Sequence, residues 1–235
     1  MVNSQSQYLS RFKKLLAAKK IKLTVEDSNF IFSHQSKKVV YQIPFDLIAT
    51  QAKKLSAIIQ SKLQLNKKVF ARKCTVKKIS KEQASVFLDL YHIMNSTQSA
   101  YNYGLFLEDE LLAVCSFSKG RKMIRLPEHL RSYELIRFCT KEGFTITGGL
   151  TKIIKTFCRE REVGDIMTYV DKQFSSGEAF VKAGFVLHSE TELLYFLIHK
   201  KSLERTLIKS PADKFNNSIY FLVKSLGNLK MIYTP

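Results

Sequence analysis

The first 67 residues contain short apolar patterns of both helical and strand type. Apolar positions at helical spacing across residues 4–20 predict an amphipathic helix. Short apolar segments predict three strands, at 21–25, 30–33 and 38–43. A second helical run begins at Pro44, and its apolar face continues to Leu63. The pattern therefore predicts a small α+β region in this part of the chain.

A different pattern begins near Lys68, where longer apolar strands are separated by helices. Strands are predicted at 69–76, 101–107, 111–117, 133–139, 165–171, 193–199 and 230–233. Helices are predicted at 80–94, 149–160 and 177–183. This order predicts an α/β (α+β) domain at 68–235, with a central mixed sheet flanked by helices. Within it, a polar run around Pro211 predicts a loop, and residues 219–223 predict a short apolar helix.

The positive charge of the chain is concentrated in its first third. The 235 residues contain 38 Lys and Arg against 20 Asp and Glu, a formal net charge of +18. Residues 1–81 hold 18 of the cations and only three acidic residues, Glu26, Asp27 and Asp46. Such polarised charge favours a polyanionic partner, so we expect DNA and interpret 1–67 as a nucleic-acid adaptor. A solubilising lysine-rich surface is the alternative.

Cysteine spacing and hydropathy predict neither a metal site nor a membrane protein. The four cysteines are scattered and form no CxxC pair, so neither zinc nor a disulfide framework is expected. The chain has no uninterrupted apolar run of about 18 residues or more. Residues 1–10 lack the apolar core of a signal peptide. We therefore expect a cytoplasmic protein.

The segment from Thr145 to Lys152 is the most informative motif. Gly148 and Gly149 follow a predicted strand and open a predicted helix. Glycines allow a tight turn and close approach to a ligand, and the first N–H groups of a helix have no partner inside it. A strand, a diglycine and a helix in this order indicate a cradle for a phosphate-bearing ligand. The alternative is that the glycines only turn the chain.

An ordered series of segments resembles the GNAT-type acyltransferase fold over residues 68–200. The segments are 133–139, 147–152, 168–171, 176–177 and 183–185. More narrowly, they resemble the Mom-like domain of phage DNA-modification proteins, which also occurs at the C-terminus of some phage homing-endonuclease-like proteins. The resemblance implies acetyl-coenzyme A or a related acyl donor as cofactor. It implicates as cofactor-binding residues Thr147, Gly148, Gly149, Leu150, Thr151 and Lys152.

Four residues are candidates for the chemistry of acyl transfer to an amine. His92 and Asp171 are the first choice, as groups able to accept a proton, with Tyr169 and Glu134 as lesser candidates. Each has a plain alternative: His92 as a helix cap, Asp171 as a turn cap and Tyr169 as a core residue. Glu134 and Arg137 are expected on opposite faces of one strand, so no pair between them is expected.

The residues expected to contact nucleic acid are cations near predicted loops, with a solvated loop as the alternative. They are Arg72, Lys73, Lys119, Arg121, Lys122 and Arg125. Together, charge and resemblance predict a GNAT-like, Mom-like transferase that modifies a nucleobase amine in DNA. Two alternatives stay open: a catalytically silent DNA-binding module, and an ordinary N-acetyltransferase acting on a small molecule or a protein.

Overall fold

The computed structural model describes residues 2–27, 29–210 and 215–235. Its helices are α1 (Val2–Ala17), α2 (Phe45–Thr50), α3 (Ala52–Lys62), α4 (Lys81–Tyr91), α5 (Gly149–Arg159) and α6 (Glu178–Lys182), with a 3-10 helix at Ala71–Lys73. Its strands are β1 (Lys22–Glu26), β2 (Asn29–His34), β3 (Lys37–Tyr41), β4 (Lys67–Phe70), β5 (Thr75–Lys78), β6 (Tyr101–Leu107), β7 (Glu110–Phe117), β8 (Arg131–Thr140), β9 (Phe144–Thr147), β10 (Val163–Asp171), β11 (Val186–Glu190), β12 (Tyr195–His199), β13 (Arg205–Ile208), β14 (Tyr220–Lys224) and β15 (Asn228–Tyr233). No helix among the described residues is both long and apolar enough to span a bilayer.

The first compact unit joins the chain up to Leu65 with residues 171–174 and 191–228. It contains α1 to α3, the antiparallel sheet β1-β2-β3 and the antiparallel sheet β13-β12-β14. Phe12 of α1 meets Phe32 of β2 edge-to-face at 6.2 Å, and both side chains are fully buried. The predicted α+β pattern of the N-terminal region therefore becomes helices packed on a small sheet.

The second unit contains residues 66–170, 175–190 and 229–235. Its seven-stranded sheet has the order β11-β15-β10-β8-β7-β6-β5, with β8 and β10 parallel and β5 to β8 antiparallel. Phe157 of α5 stacks on Phe117 at 4.0 Å, whereas α4 packs on Val114. Ala113, the neighbour of Val114 on β7, belongs to the α5 side. The two helices therefore cover opposite faces, which confirms the predicted mixed sheet flanked by helices.

The boundary between the units can be compared with the predicted division into 1–67 and 68–235. The chain passes from the first unit to the second after Leu65. Residues 191–228, which the prediction placed in the GNAT-like domain, cluster with the first unit. The assignment of 1–67 as a domain of its own stays a prediction.

Two neighbouring strands of the seven-stranded sheet, β8 and β10, separate towards their carboxyl ends. Backbone pairing between β8 and β10 extends as far as Met167 opposite Glu134. Beyond that pair, the Thr168 hydroxyl donates a hydrogen bond to the Leu135 carbonyl oxygen at 2.9 Å. β8 then continues to residue 140 and β10 to residue 171 with no further paired residues between these described strands. β8 and β10 therefore diverge beyond the pair formed by Glu134 and Met167.

Three predicted elements are wrong in detail. The predicted strand at 69–76 is interrupted by the 3-10 helix, in which Cys74 N–H donates to the Ala71 carbonyl oxygen at 3.0 Å. The predicted helix at 219–223 is instead β14, because its β-branched and aromatic residues pair antiparallel with β12. The helical run after Pro44 is broken at Gln51, whose φ of −126° is not helical. The loop predicted around Pro211 lies outside the described residues.

Candidate functional site

The N-terminus of α5 is built on two glycines with different roles. Gly148 is the N-cap in a left-handed conformation (φ 78°), which glycine adopts without steric cost. A Cβ at Gly149 would lie 3.0 Å from Ile146 Cγ2 and 3.3 Å from Leu105 Cδ2, so that glycine allows the helix to pack closely on the sheet. No described side chain caps the helix, and its first-turn N–H groups have no intrahelical partner.

The six predicted cofactor residues differ in exposure, and Thr151 and Lys152 are half-buried. Thr147 and Gly148 are exposed, whereas Gly149 and Leu150 are buried. Leu150, at 5% exposure, belongs to the core under α5. The leucine side chain therefore cannot touch a ligand in this conformation, and its contribution is limited to the backbone.

A cavity of about 610 Å³ opens beside α5. Its volume lies within the range of small-molecule sites. Its walls come from α5, the 3-10 helix and the C-terminal segment, and comprise Ala71, Arg72, Gly148, Thr151, Lys152, Lys155, Cys158, Arg159, Tyr233 and Pro235. Among these described residues four side chains are cationic and none is acidic. The cavity is therefore suited to an anion, and the helix N-terminus adds to the positive potential.

Lys152 holds one wall of the cavity in place. Its ammonium donates hydrogen bonds to the carbonyl oxygens of Ala71 (3.0 Å) and Cys74. These two carbonyls bracket the 3-10 helix, so the lysine connects that helix to the first turn of α5. An ammonium has three donors, and two of them are engaged here. Lys152 thus has a positioning role in addition to its charge.

Cys158 and Tyr233 are uncharged residues that line the same cavity. Burial raises the pKa of the Cys158 thiol to about 11. Burial also raises the pKa of the Tyr233 hydroxyl, and the neighbouring Cys158 adds to that shift. Both groups are therefore neutral near pH 7, and they add polarisable and aromatic surface to the cavity.

A bulge in β8 overturns one expectation about Glu134. Along β7, Arg137 lies opposite Ser116 and Leu135 lies opposite Phe117, so the residue between them is extra. An extra residue reverses the facing of the side chains beyond it. Glu134 and Arg137 therefore share a face, and the prediction that they lie on opposite faces is wrong.

Arg137 on this face contacts the turn that follows His92. Arg137 Nε donates to the carbonyl oxygen of Asn95 at 3.2 Å, and Asn95 closes a turn that starts at the His92 carbonyl. Burial lowers the pKa of the Arg137 guanidinium, and Glu134 opposes that shift. The His92 ring is used locally, because Nδ1 accepts a hydrogen bond from Met94 N–H at 3.1 Å.

The remaining two catalytic candidates lie on β10. Tyr169 is 44% exposed. It lies two positions after Met167, which pairs with Glu134, so the side chains of Tyr169 and Glu134 lie on the same face of the sheet. Asp171 belongs to the first compact unit. Its carboxylate accepts a hydrogen bond from Gln173 N–H at 2.8 Å, and burial raises its pKa. This bond is the turn cap that was the alternative for Asp171.

The predicted nucleic-acid contacts fall into two groups within the second unit. Arg72 and Lys73 are exposed on the 3-10 helix, and Arg72 also lines the cationic cavity. The other four lie on the loop between β7 and β8 and are exposed: Lys119, Arg121, Lys122 and Arg125. In that group Arg125 forms an ion pair with the buried carboxylate of Asp165, which neutralises its charge within the fold.

Among the cavity residues that sequence reasoning missed are Lys155, Arg159 and Tyr233. Lys155 and Arg159 lie on the same face of α5 as Gly148 and Thr151. Continuing the glycine motif along that face of the helix would therefore have found both cations. Tyr233 comes from β15, and no local pattern connects it to α5. Only the folded sheet brings it there.

Comparisons with known proteins give weak similarities. No family model and no curated protein matches the chain. A Bacillus subtilis acetyltransferase solved in complex with CoA is 14% identical, covers 69% of this chain and 98% of its own, and has a TM-score of 0.42. A GNAT family acetyltransferase from Elizabethkingia anophelis with acetyl-CoA bound is 12% identical over 69% and 99%, with a TM-score of 0.41. An IAA acetyltransferase from Bacillus cereus is 10% identical over 69% and 99%, with a TM-score of 0.40. At this level of similarity, function must be inferred from the chain's own residues.

Proposed function

We propose that this protein is an acyltransferase of the GNAT type that binds a coenzyme A thioester in the cavity beside α5. The observation that carries the proposal is the cavity itself: about 610 Å³, lined by four cationic side chains along α5 and the 3-10 helix, and reaching the N-terminus of α5, which no described side chain caps. A coenzyme A molecule presents several phosphate groups, and an exposed helix N-terminus with flanking cations is a site for such anions.

Particular residues would hold the parts of that cofactor. The backbone at Gly148 and Thr151 would take the diphosphate, and Arg72, Lys155 and Arg159 would add charge. Lys152 keeps the wall formed by the 3-10 helix in position. Bound there, the cofactor supplies an activated acyl group.

The acceptor side would lie where β8 and β10 part. Glu134 is the candidate acceptor for the proton that an amine loses on acylation, and Arg137 fixes the adjoining turn. Tyr169 is exposed on the neighbouring strand and is a candidate proton donor. We extend the proposal to a nucleobase amine in DNA as the acceptor, because the chain carries a net charge of +18. A base in a duplex must leave the stack to reach such a site.

A labelled-acyl experiment tests this function. Purified protein is incubated with acetyl-coenzyme A labelled in the acetyl group and with duplex DNA, and the DNA is digested to nucleosides for mass spectrometry. We expect one labelled nucleoside, strongly reduced in Glu134→Gln and retained in Lys81→Gln, an exposed substitution at the start of α4. Labelling of added protein or small amines, with DNA unlabelled, would instead identify an ordinary N-acetyltransferase.

A second candidate is a DNA-binding module without transferase activity. It is favoured by the local roles of two predicted catalytic groups, since the His92 ring accepts from Met94 N–H and the Asp171 carboxylate accepts from Gln173 N–H. Tight DNA binding without a labelled product, and without cofactor binding, would establish this candidate over the enzyme.

A further inference from the structure

The loop between β7 and β8 presents a bare apolar tip among cations. Ile124 is fully exposed, and Met123 beside it is 39% exposed. Lys119, Arg121 and Lys122 on the same loop are exposed. Burial of an isoleucine side chain against a partner gains roughly 1.5–3 kcal/mol, so this apolar tip among cations would contribute to binding a partner that has both apolar and anionic surface.

The loop is held firmly at its base. Arg121 and Ser132 exchange two backbone hydrogen bonds, each of 2.9 Å. The Ser132 hydroxyl donates to one oxygen of the buried Asp165 carboxylate at 2.5 Å, and Arg125 pairs with the other oxygen. The tip is therefore anchored from both sides to the first residues of β8 and β10.

The tip itself is a tight turn. Leu126 N–H donates to the Met123 carbonyl oxygen at 3.0 Å, which places Ile124 and Arg125 at the two central positions. Leu126 packs towards Gly164, where an added Cβ would lie 2.7 Å from Leu126 Cδ1. A turn fixed in this way projects Ile124 outward without a large entropic cost when a partner binds.

We propose that Ile124 is a wedge that inserts between stacked base pairs of duplex DNA while the loop cations contact the flanking phosphates. Isoleucine and methionine are among the side chains that proteins place between base steps, and unstacking of a step is compensated by the contacts that the bend permits. The inference rests on the proposed function only in taking DNA as the acceptor. Insertion of Ile124 would separate stacked base pairs and so help the target base to leave the duplex for the transferase site.

The size and charge of the tip favour DNA over a lipid surface. The apolar surface consists of two side chains, whereas membrane binding by a surface segment scales with a larger buried apolar area. One carboxylate, Glu128, lies 3.6 Å from Lys122, and both side chains are highly exposed. This ion pair leaves Lys119 and Arg121 to face phosphates.

Fluorescence of 2-aminopurine tests the wedge directly. The probe replaces adenine at a central TA step, which opens more easily than other steps. We expect wild-type protein to raise the fluorescence at saturation, and Ile124→Ser to abolish the rise and weaken duplex affinity by about tenfold. The matched control is Val86→Ser, which removes a 63%-exposed apolar side chain from α4 of the same unit and is expected to change neither reading.

A charge variant separates the two parts of the proposal. Lys119→Ala, at an exposed cation of the loop, is expected to reduce the salt dependence of duplex binding by about one phosphate contact and to leave the saturated fluorescence unchanged. An Ile124→Ser protein with wild-type fluorescence and affinity would overturn the wedge. So would Ile124-dependent binding to vesicles of phosphatidylglycerol and phosphatidylcholine without an effect on DNA. Cofactor titration of the same variants is an independent reading, so failure of the enzyme proposal is distinguishable from failure of the wedge.

Discussion

Replacing Lys152 by methionine removes the connection between α5 and the 3-10 helix while keeping the length of the side chain. The Ala71 and Cys74 carbonyl oxygens then lose an ammonium donor. A hydrogen bond to a charged group contributes about 1.5–3 kcal/mol to stability. Because Lys152 is only half-buried, water replaces part of that contribution. We therefore expect a loss of about 2 kcal/mol for the two bonds together, or about 4–8 °C in Tm.

The matched control is Lys155→Met, three positions further along the same helix. Lys155 is exposed and lines the same cavity, so its replacement is expected to change the free energy of unfolding by less than about 0.5 kcal/mol. Urea unfolding followed by circular dichroism measures both variants without ligand. Equal stability of Lys152→Met and Lys155→Met would refute the positioning role of Lys152.

Three further predictions concern the glycines, the cavity thiol and the ion pair of the first unit. Gly148→Ala places a Cβ in a left-handed conformation, so we expect it to lower the free energy of unfolding by about 1 kcal/mol and to weaken cofactor binding. Gly149→Ala is expected to lower stability alone, because the added Cβ meets Ile146 and Leu105. Urea unfolding and cofactor titration measure the two effects. Alkylation of Cys158 is expected to be slow at pH 8, to accelerate towards its pKa of about 11, and to be suppressed by coenzyme A; mass spectrometry of the modified peptide measures this. Arg205→Met leaves the buried Asp46 carboxylate without its bidentate partner and is expected to cost about 3 kcal/mol in urea unfolding; an unchanged stability would contradict the pairing.

The parts of the fold that follow local periodicity could be predicted from the sequence. The helix predicted at 149–160 is α5, and its apolar residues Ile153, Ile154 and Phe157 are fully buried. The strands at β6, β7 and β10 followed equally from apolar runs bounded by turns. Such elements need only the contacts between near neighbours to be recognised.

The parts that depend on distant residues could not be predicted. The bulge in β8 is visible only through its pairing with β7, and it decides which face Arg137 occupies. The 3-10 helix at 71–73 is stabilised by Lys152, about 80 positions away, so its sequence alone looked like a strand. β14 required β12 as a partner before its apolar residues could be told from a helix.

Isothermal titration with acetyl-coenzyme A tests the central claim most directly. The account predicts saturable binding to the wild-type protein and a loss of about tenfold or more, equivalent to about 1.4 kcal/mol, in Lys155→Glu, because the reversed charge faces the cavity of α5. Val86→Ser, on α4, is expected to bind like the wild type. Absence of binding to a folded protein, or binding that charge reversal at Lys155 does not change, would contradict the account.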